Sequence, residues 1–232
     1  MINIKEDERL NTLNHSCAHL MAQAIQHLYP NAKFWVGPAI EEGFYYDIDL
    51  GDNVIKEEDL EVIEREMKKC SKSAKNIIRR EISKEEALEM FKDDSYKIDL
   101  IERMEDDVIS CYVQGDFTDL CRGPHMSNTK EVKYFKLIKF SGAYFKGDAN
   151  NKMLQRIYGV CYESEEELNA HLEFLEEAKK RDHKRLGKEL GLFMISEYGP
   201  GFPFFLPNGM ILRNELENFL YVHYTKNFQV HF

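Results

Sequence analysis

No stretch of the chain approaches the roughly 20 consecutive apolar residues that a membrane-spanning helix needs, which argues against a helical membrane protein. The N-terminus, Met1 to Glu8, is acidic and has no apolar h-region, so no secretory signal is read there. Five cysteines form an odd set without disulfide-like spacing. That argues against a disulfide framework and for a reduced, cytoplasmic setting. Positive charge is in deficit, with 31 Lys and Arg against 41 Asp and Glu and a net charge of −10. A general nucleic-acid binder is disfavoured by that balance. Internal repeats and low-complexity tracts are missing, which leaves no basis for a solenoid or a linker array.

What is present fits a folded protein of one large or two modest domains. The chain has 232 residues, 43% of them hydrophobic, enough for a core. Basic residues cluster locally at Lys68, Lys69, Lys72, Lys75, Arg79 and Arg80, and again over 179–188. Such runs read as solvated helix faces or as local phosphate contacts.

Helical periodicity over Glu8 to Tyr29 puts Leu10, Leu13, Cys17, Leu20, Met21, Ala24 and Leu28 on one stripe. His15 and His19 fall on nearly the opposite face, beside Ala18 and Ala22. Strands are expected over 33–40, 43–50, 76–82, 108–117, 133–140 and 153–161, with helices over 57–70 and from Ser83 onward. Ser95 to Ile98 is ambiguous. Ser164 opens a long helix that should run to about Leu190. A stretch rich in turn formers and aromatics follows, then a helix from Met210 to about Lys226. Alternating helices and antiparallel-type strands make the fold class α+β.

Two histidines at i and i+4 on a helix, His15 and His19, can chelate one metal or frame one substrate. Cys121 and His125 are also four apart, with Gly123-Pro124 between them arguing for a loop. The four together are a set that zinc accepts. If all four bind the ion, the site is closed and structural, whereas hydrolysis needs an open position for water. The metal-free alternative uses a neutral imidazole as general base. Spacing alone does not choose among these readings and unrelated surface residues.

Longer motifs carry a resemblance. They are His15-Ser16-Cys17-Ala18-His19-Leu20, Gly43-Phe44-Tyr45-Tyr46-Asp47, Asp119-Leu120-Cys121-Arg122-Gly123-Pro124-His125, Phe140-Ser141-Gly142-Ala143-Tyr144, and Asn151-Lys152-Met153-Leu154-Gln155-Arg156-Ile157-Tyr158-Gly159. In this order they resemble the editing module of threonyl-tRNA synthetases along almost the whole chain. The resemblance implies an editing domain of antiparallel sheet packed with helices over 1–185. A linker helix and an incomplete class II aminoacylation domain over 186–232 would follow, without a preceding ubiquitin-like domain. It also implies hydrolysis of seryl-tRNA(Thr) made in error, at His15, His19, Cys121 and His125. Tyr46, Lys97 and Asp119 would line the same pocket, Lys97 meeting the substrate's polar groups or developing negative charge and Asp119 its amino group.

Partners implied are the acceptor end of tRNA(Thr), the serine ester and, for a longer parent protein, a second copy. Editing should need no cofactor. Zinc at the four His and Cys residues is the alternative, because alanyl-tRNA synthetase relatives hold zinc with the same set. ATP and the catalytic-domain zinc of the threonyl family belong to the parent, so this stretch alone should not aminoacylate tRNA. Competing readings are a free-standing trans-editing deacylase and a non-catalytic tRNA- or zinc-binding module.

Overall fold

A computed structural model describes residues 3–228. Met1 and Ile2 of the acidic N-terminal stretch, and residues 229–232 of the expected second domain, lie outside the described residues. The chain falls into two compact units, Met1–His171 and Leu172–Phe232.

The first unit is built around α1, Glu8–Leu28. Asp7 caps it, its carboxylate accepting from the Arg9 and Leu10 N–H groups. Five antiparallel strands form the sheet beside it: β1 (Lys33–Phe34), β2 (Ala39–Ile40), β3 (Gly43–Asp49), and, later in the chain, Tyr134–Tyr144 and Met153–Tyr162. Helix α2 (Glu57–Lys72) packs against α1. A second antiparallel sheet contains β4 (Ile77–Ser83), β5 (Val108–Gln114) and β6 (Phe117–Leu120). Helices α3 (Lys84–Met90) and α4 (Ser95–Glu102) connect β4 to β5. The two late strands of the first sheet are β7 (Tyr134–Tyr144) and β8 (Met153–Tyr162), and the order is β1-β3-β8-β7 with β2 beside β3. The α+β class with antiparallel sheets is therefore what the sequence indicated.

Asn14 fixes the rotation of α1. It is fully buried. Its amide donates to the Cys161 carbonyl at 2.8 Å and accepts from the Cys161 N–H at 2.9 Å. A buried amide satisfied by strand backbone holds the helix to β8 at one angle. Phe44, Ile48, Leu20, Met21, Ile63, Met67 and Ile157 fill the core on that side. A separate cluster of Ile82, Ala87, Ile101, Ile109 and Cys111 lies under the second sheet.

Four expectations change. The face of α1 opposite its apolar stripe is not free, because burial continues around the helix and His19 is only 3% exposed. Residues 33–40 are two short strands interrupted at Trp35-Val36-Gly37-Pro38; Pro38 has no N–H for a ladder. Residues 108–117 form a hairpin rather than one strand, turning at Gly115, whose φ of +63° suits glycine. The helix after Ser164 does not run unbroken to Leu190. It divides into α5 (Glu165–Lys180) and α6 (His183–Glu189), because the Asp182 carboxylate accepts from the Arg185 N–H and starts a new helix.

In the second unit, β9 (Phe193–Ile195) pairs antiparallel with β10 (Pro203–Phe205), and α7 spans Pro207–Phe228. Phe202, Phe204, Phe205 and Phe219 are exposed. Lys179, Lys180, Arg181 and Arg185 of the basic run each pair with a nearby glutamate. Among the described residues, no helix is long and apolar enough to cross a membrane.

Candidate functional site

The hairpin β5–β6 returns toward α1, and the loop leaving β6 lays Cys121 and His125 against His15 and His19. One donor atom from each of the four lies within 4.8 Å of the other three. The thiol is central, with Cys121 Sγ 3.2 Å from His15 Nε2 and 3.2 Å from His125 Nε2. The Gly123 N–H also donates to that sulfur, at 3.2 Å. Gly123 is required here twice over: its φ is +75°, and a Cβ would overlap the Tyr112 ring. Tyr112 in turn packs on His125 with ring centroids 4.4 Å apart.

Outer contacts set the tautomers. His15 Nδ1 is 3.2 Å from the Pro124 carbonyl, so this nitrogen carries the proton and donates. Ser16 Oγ donates its single proton to the Thr12 carbonyl and accepts from the Met126 N–H, both at 2.9 Å. His125 Nδ1, 3.1 Å from the same hydroxyl, must therefore donate to it. His19 Nε2 faces the Asp119 carboxylate at 3.5 Å. Its Nδ1 is buried with no hydrogen-bond partner among the described residues. Three imidazoles thus present lone pairs, His15 and His125 toward one sulfur that has only one proton to give.

The charge state follows from burial. Burial pushes His19 and His125 well below the usual imidazole range, and neighbouring histidines add to it. His15 is lowered by burial too, opposed by its bond to Pro124. Burial pushes the Cys121 thiol up to about 11, with the Gly123 N–H pulling the other way. The cluster is accordingly three neutral imidazoles and a thiol.

Lys97, Tyr46 and Asp119 lie behind His19. The Lys97 ammonium pairs with Asp119 Oδ1, and the Tyr46 hydroxyl donates to Oδ2. Lys97 also donates to the Trp35 carbonyl at 3.0 Å and to the Tyr46 hydroxyl at 3.2 Å. Both Asp119 oxygens are therefore already engaged. Burial pushes the Tyr46 hydroxyl well above its usual range, as does the adjacent Asp119 charge. A cleft of about 580 Å³ opens on His15, His19, Tyr46, Lys97, Asp119 and Cys121. Gly37 lies on its wall against the Tyr46 ring, leaving no room for a side chain.

All seven residues singled out from the sequence, His15, His19, Tyr46, Lys97, Asp119, Cys121 and His125, are brought together. Ser16, Trp35 and Tyr112 complete the surroundings without having been singled out. Ser16 lay inside the first motif, and its position beside His15 was the only available signal.

A metal ion would suit the donor set. Zinc takes neutral imidazole and thiolate at about 2.0–2.3 Å, which places tetrahedral N and S ligands about 3.6 Å apart. The two 3.2 Å separations are close to that. The partnerless His19 Nδ1 gives the same indication. Histidines whose other ring nitrogen is held by a carbonyl, hydroxyl or carboxylate are the usual form of metal-ligating imidazoles.

Residues 109–158 match the family described as Threonyl and Alanyl tRNA synthetase second additional domain. The chain is 54% identical over 222 residues to a threonine–tRNA ligase of Finegoldia magna, covering 94% of this chain and 35% of that protein. It is 56% identical over 222 residues to a threonine–tRNA ligase of Clostridioides difficile, with the same coverage. A Thermotoga neapolitana threonine–tRNA ligase is 51% identical over 221 residues, 94% of this chain and 34% of that protein. The chain thus spans about a third of the length of these curated relatives. With half its residues identical along nearly its whole length, the chain belongs to the threonyl-tRNA synthetase family.

Proposed function

We propose that the chain is a hydrolytic editing module, cleaving the ester that joins serine wrongly to tRNA(Thr). The observation that carries this reading is the meeting of three neutral imidazoles and Cys121 beside an open cleft. A neutral imidazole with an unprotonated nitrogen can accept a proton from water as it attacks an ester carbonyl. His15, His19 and His125 are the candidates for that step. Cys121 is neutral and contributes hydrogen bonding rather than nucleophilic attack. Lys97 lines the same cleft, and its charge favours the oxyanion that develops at the carbonyl. Asp119 and Tyr46 position Lys97 and His19.

The need for such a site is physical. Serine and threonine differ by one methyl, worth about 1–3 kcal/mol in a binding pocket. A second site that admits serine and excludes the extra methyl supplies the missing discrimination. In this reading Gly37 and the Tyr46 ring form the wall that refuses the methyl group. A zinc ion, if bound by His15, His19, Cys121 and His125, would lower the pKa of a water at any coordination position left open.

In the same reading residues 186–232 belong with the class II aminoacylation domain. ATP, that domain's zinc and homodimer formation belong to the ligase as a whole, acting in the cytoplasm on tRNA(Thr). The test is release of serine from seryl-tRNA(Thr) by the chain and by its His15→Ala, His125→Ala and Cys121→Ser variants. Loss of hydrolysis in both histidine variants with an unchanged circular dichroism spectrum is expected. Full activity in either one would reject the assignment, and no hydrolysis by the parent chain would favour a binding module.

A further inference from the structure

A second group of metal-ligating side chains occurs among the described residues, separate from the one above. His27 lies on the last turn of α1, and Glu66 and Cys70 lie four apart on α2. His27 follows His19 by eight residues, about 12 Å along the helix.

We infer that His27, Glu66 and Cys70 form a second metal site, for a divalent cation of the zinc class, with Asp116 orienting the histidine. His27 Nδ1 is 3.1 Å from Glu66 Oε1 and 3.7 Å from Cys70 Sγ. Tetrahedral zinc places nitrogen and oxygen ligands about 3.3 Å apart and nitrogen and sulfur ligands about 3.6 Å apart, from the usual bond lengths. All three donor atoms lie within 4.8 Å of one another. The two separations from His27 Nδ1 are therefore close to those an ion at the centre would impose.

The outer contacts are also those of a metal centre. His27 Nε2 is 3.0 Å from Asp116 Oδ2. That carboxylate accepts a hydrogen bond from Nε2–H and leaves Nδ1 as the ligating nitrogen, a carboxylate–histidine–metal arrangement. Gln23 donates to the other Asp116 oxygen at 2.7 Å. Lys69 donates to Glu66 Oε2 at 2.6 Å, leaving Oε1 for the ion.

Donor type selects the ion. One thiolate, one imidazole and one carboxylate favour zinc or a similar transition metal over magnesium or calcium. Burial, with the Glu66 and Asp116 charges, pushes the Cys70 thiol up to about 11, so the entering cation displaces its proton. A cleft of about 540 Å³ reaches His27, Glu66, Cys70 and Asp116 and supplies the fourth position to water. The ion would tie α1 and α2 through its ligands, and the β5–β6 turn through Asp116. Strand β6 carries Asp119, so this clamp steadies the support of the first site.

The test uses the full chain carrying Cys121→Ser and His125→Ala, which silences the first cluster. Cobalt(II) is titrated in as a spectroscopic stand-in for zinc, and zinc retained after dialysis is measured by elemental analysis. One cobalt per chain with a thiolate-to-cobalt charge-transfer band is expected, together with one retained zinc. Adding Cys70→Ser should abolish the band. Asp116→Asn should weaken binding about 10–100-fold, and Glu66→Gln should weaken it at least tenfold. A parent with native circular dichroism and no band would overturn the inference, as would a band that survives Cys70→Ser. Should Cys70→Ser unfold, the Glu66→Gln and Asp116→Asn variants decide, and unchanged affinity in both rejects the site.

Discussion

Lys97 and Asp119 make an ion pair almost without solvent, their side chains 4% and 2% exposed. Replacing Lys97 with Met keeps much of the side chain's length and removes its charge. Asp119 is then left with the Tyr46 hydroxyl and His19, and the Trp35 carbonyl loses its donor. Removing one partner of a buried pair costs about 3–5 kcal/mol, because the remaining charge stays buried and uncompensated. Set against a total stability of about 5–15 kcal/mol for a typical domain, that is a large loss. Urea unfolding at neutral pH, followed by circular dichroism, measures it. With a slope of about 2 kcal/mol/M, the midpoint should fall by about 1.5–2.5 M. Asp119→Leu alone should also be costly, since it strands the Lys97 ammonium. The double variant Lys97→Met/Asp119→Leu should lose less than the two single variants added together, since it strands no charge. A loss below about 1 kcal/mol in Lys97→Met, or simple additivity in the double variant, would refute the buried-pair account.

The buried histidines make stability fall with acid. His19 and His125 are held below the usual imidazole range in the fold, so the unfolded chain binds protons that the folded chain does not. Stability is complete above the unfolded value of about 6.5 and should drop by about 2.5 kcal/mol between pH 7 and 5.5 from these two groups. Urea titrations in the presence of a chelator should show about half that slope in a His125→Gln variant, and an identical slope would contradict it. Ser16→Ala removes the acceptor for the buried Met126 N–H and for His125 Nδ1. A stability loss of about 1–3 kcal/mol is expected, with slower ester hydrolysis, and neither should follow if Ser16 only fills space. Gly37→Ala drives a methyl into the Tyr46 ring. Overpacking should cost about 1–3 kcal/mol, measured by thermal unfolding, and an unchanged midpoint would mean that this wall yields.

Much of the fold was legible because α1, α2 and the strands follow clean periodicities. Leu10, Leu13 and Cys17 mark the buried stripe of α1, and Ser83 and Ser164 mark helix starts through their capping bonds. The turn at Gly115 was missed although Gly115-Asp116 between Gln114 and Phe117 is a two-residue hairpin signal, because the strand pattern was read straight through it. The break at Asp182 was missed because an acidic residue within a basic helical run carries no periodic signal. At the site, the paired spacings of His15 with His19 and Cys121 with His125 were readable, since i, i+4 geometry is local. Their meeting was not readable from spacing and came only with the family resemblance, because it depends on contacts between residues more than 100 positions apart. Nor were the tautomers, which Pro124, Ser16 and Asp119 impose through packing. Lys97 and Asp119 came only through the family resemblance. The group at His27, Glu66 and Cys70 drew no notice, because its members come from two helices and its support from a hairpin turn.

The proposed editing reaction requires this cleft to distinguish two esters by one methyl. The direct measurement is the ratio of kcat/KM for deacylation of seryl-tRNA(Thr) and threonyl-tRNA(Thr) by the purified chain. Steric exclusion of a methyl predicts a preference for serine on the order of 10–200-fold, lost in the His15→Ala variant because hydrolysis itself is lost. Equal rates for the two esters, or faster release of threonine, would contradict the account.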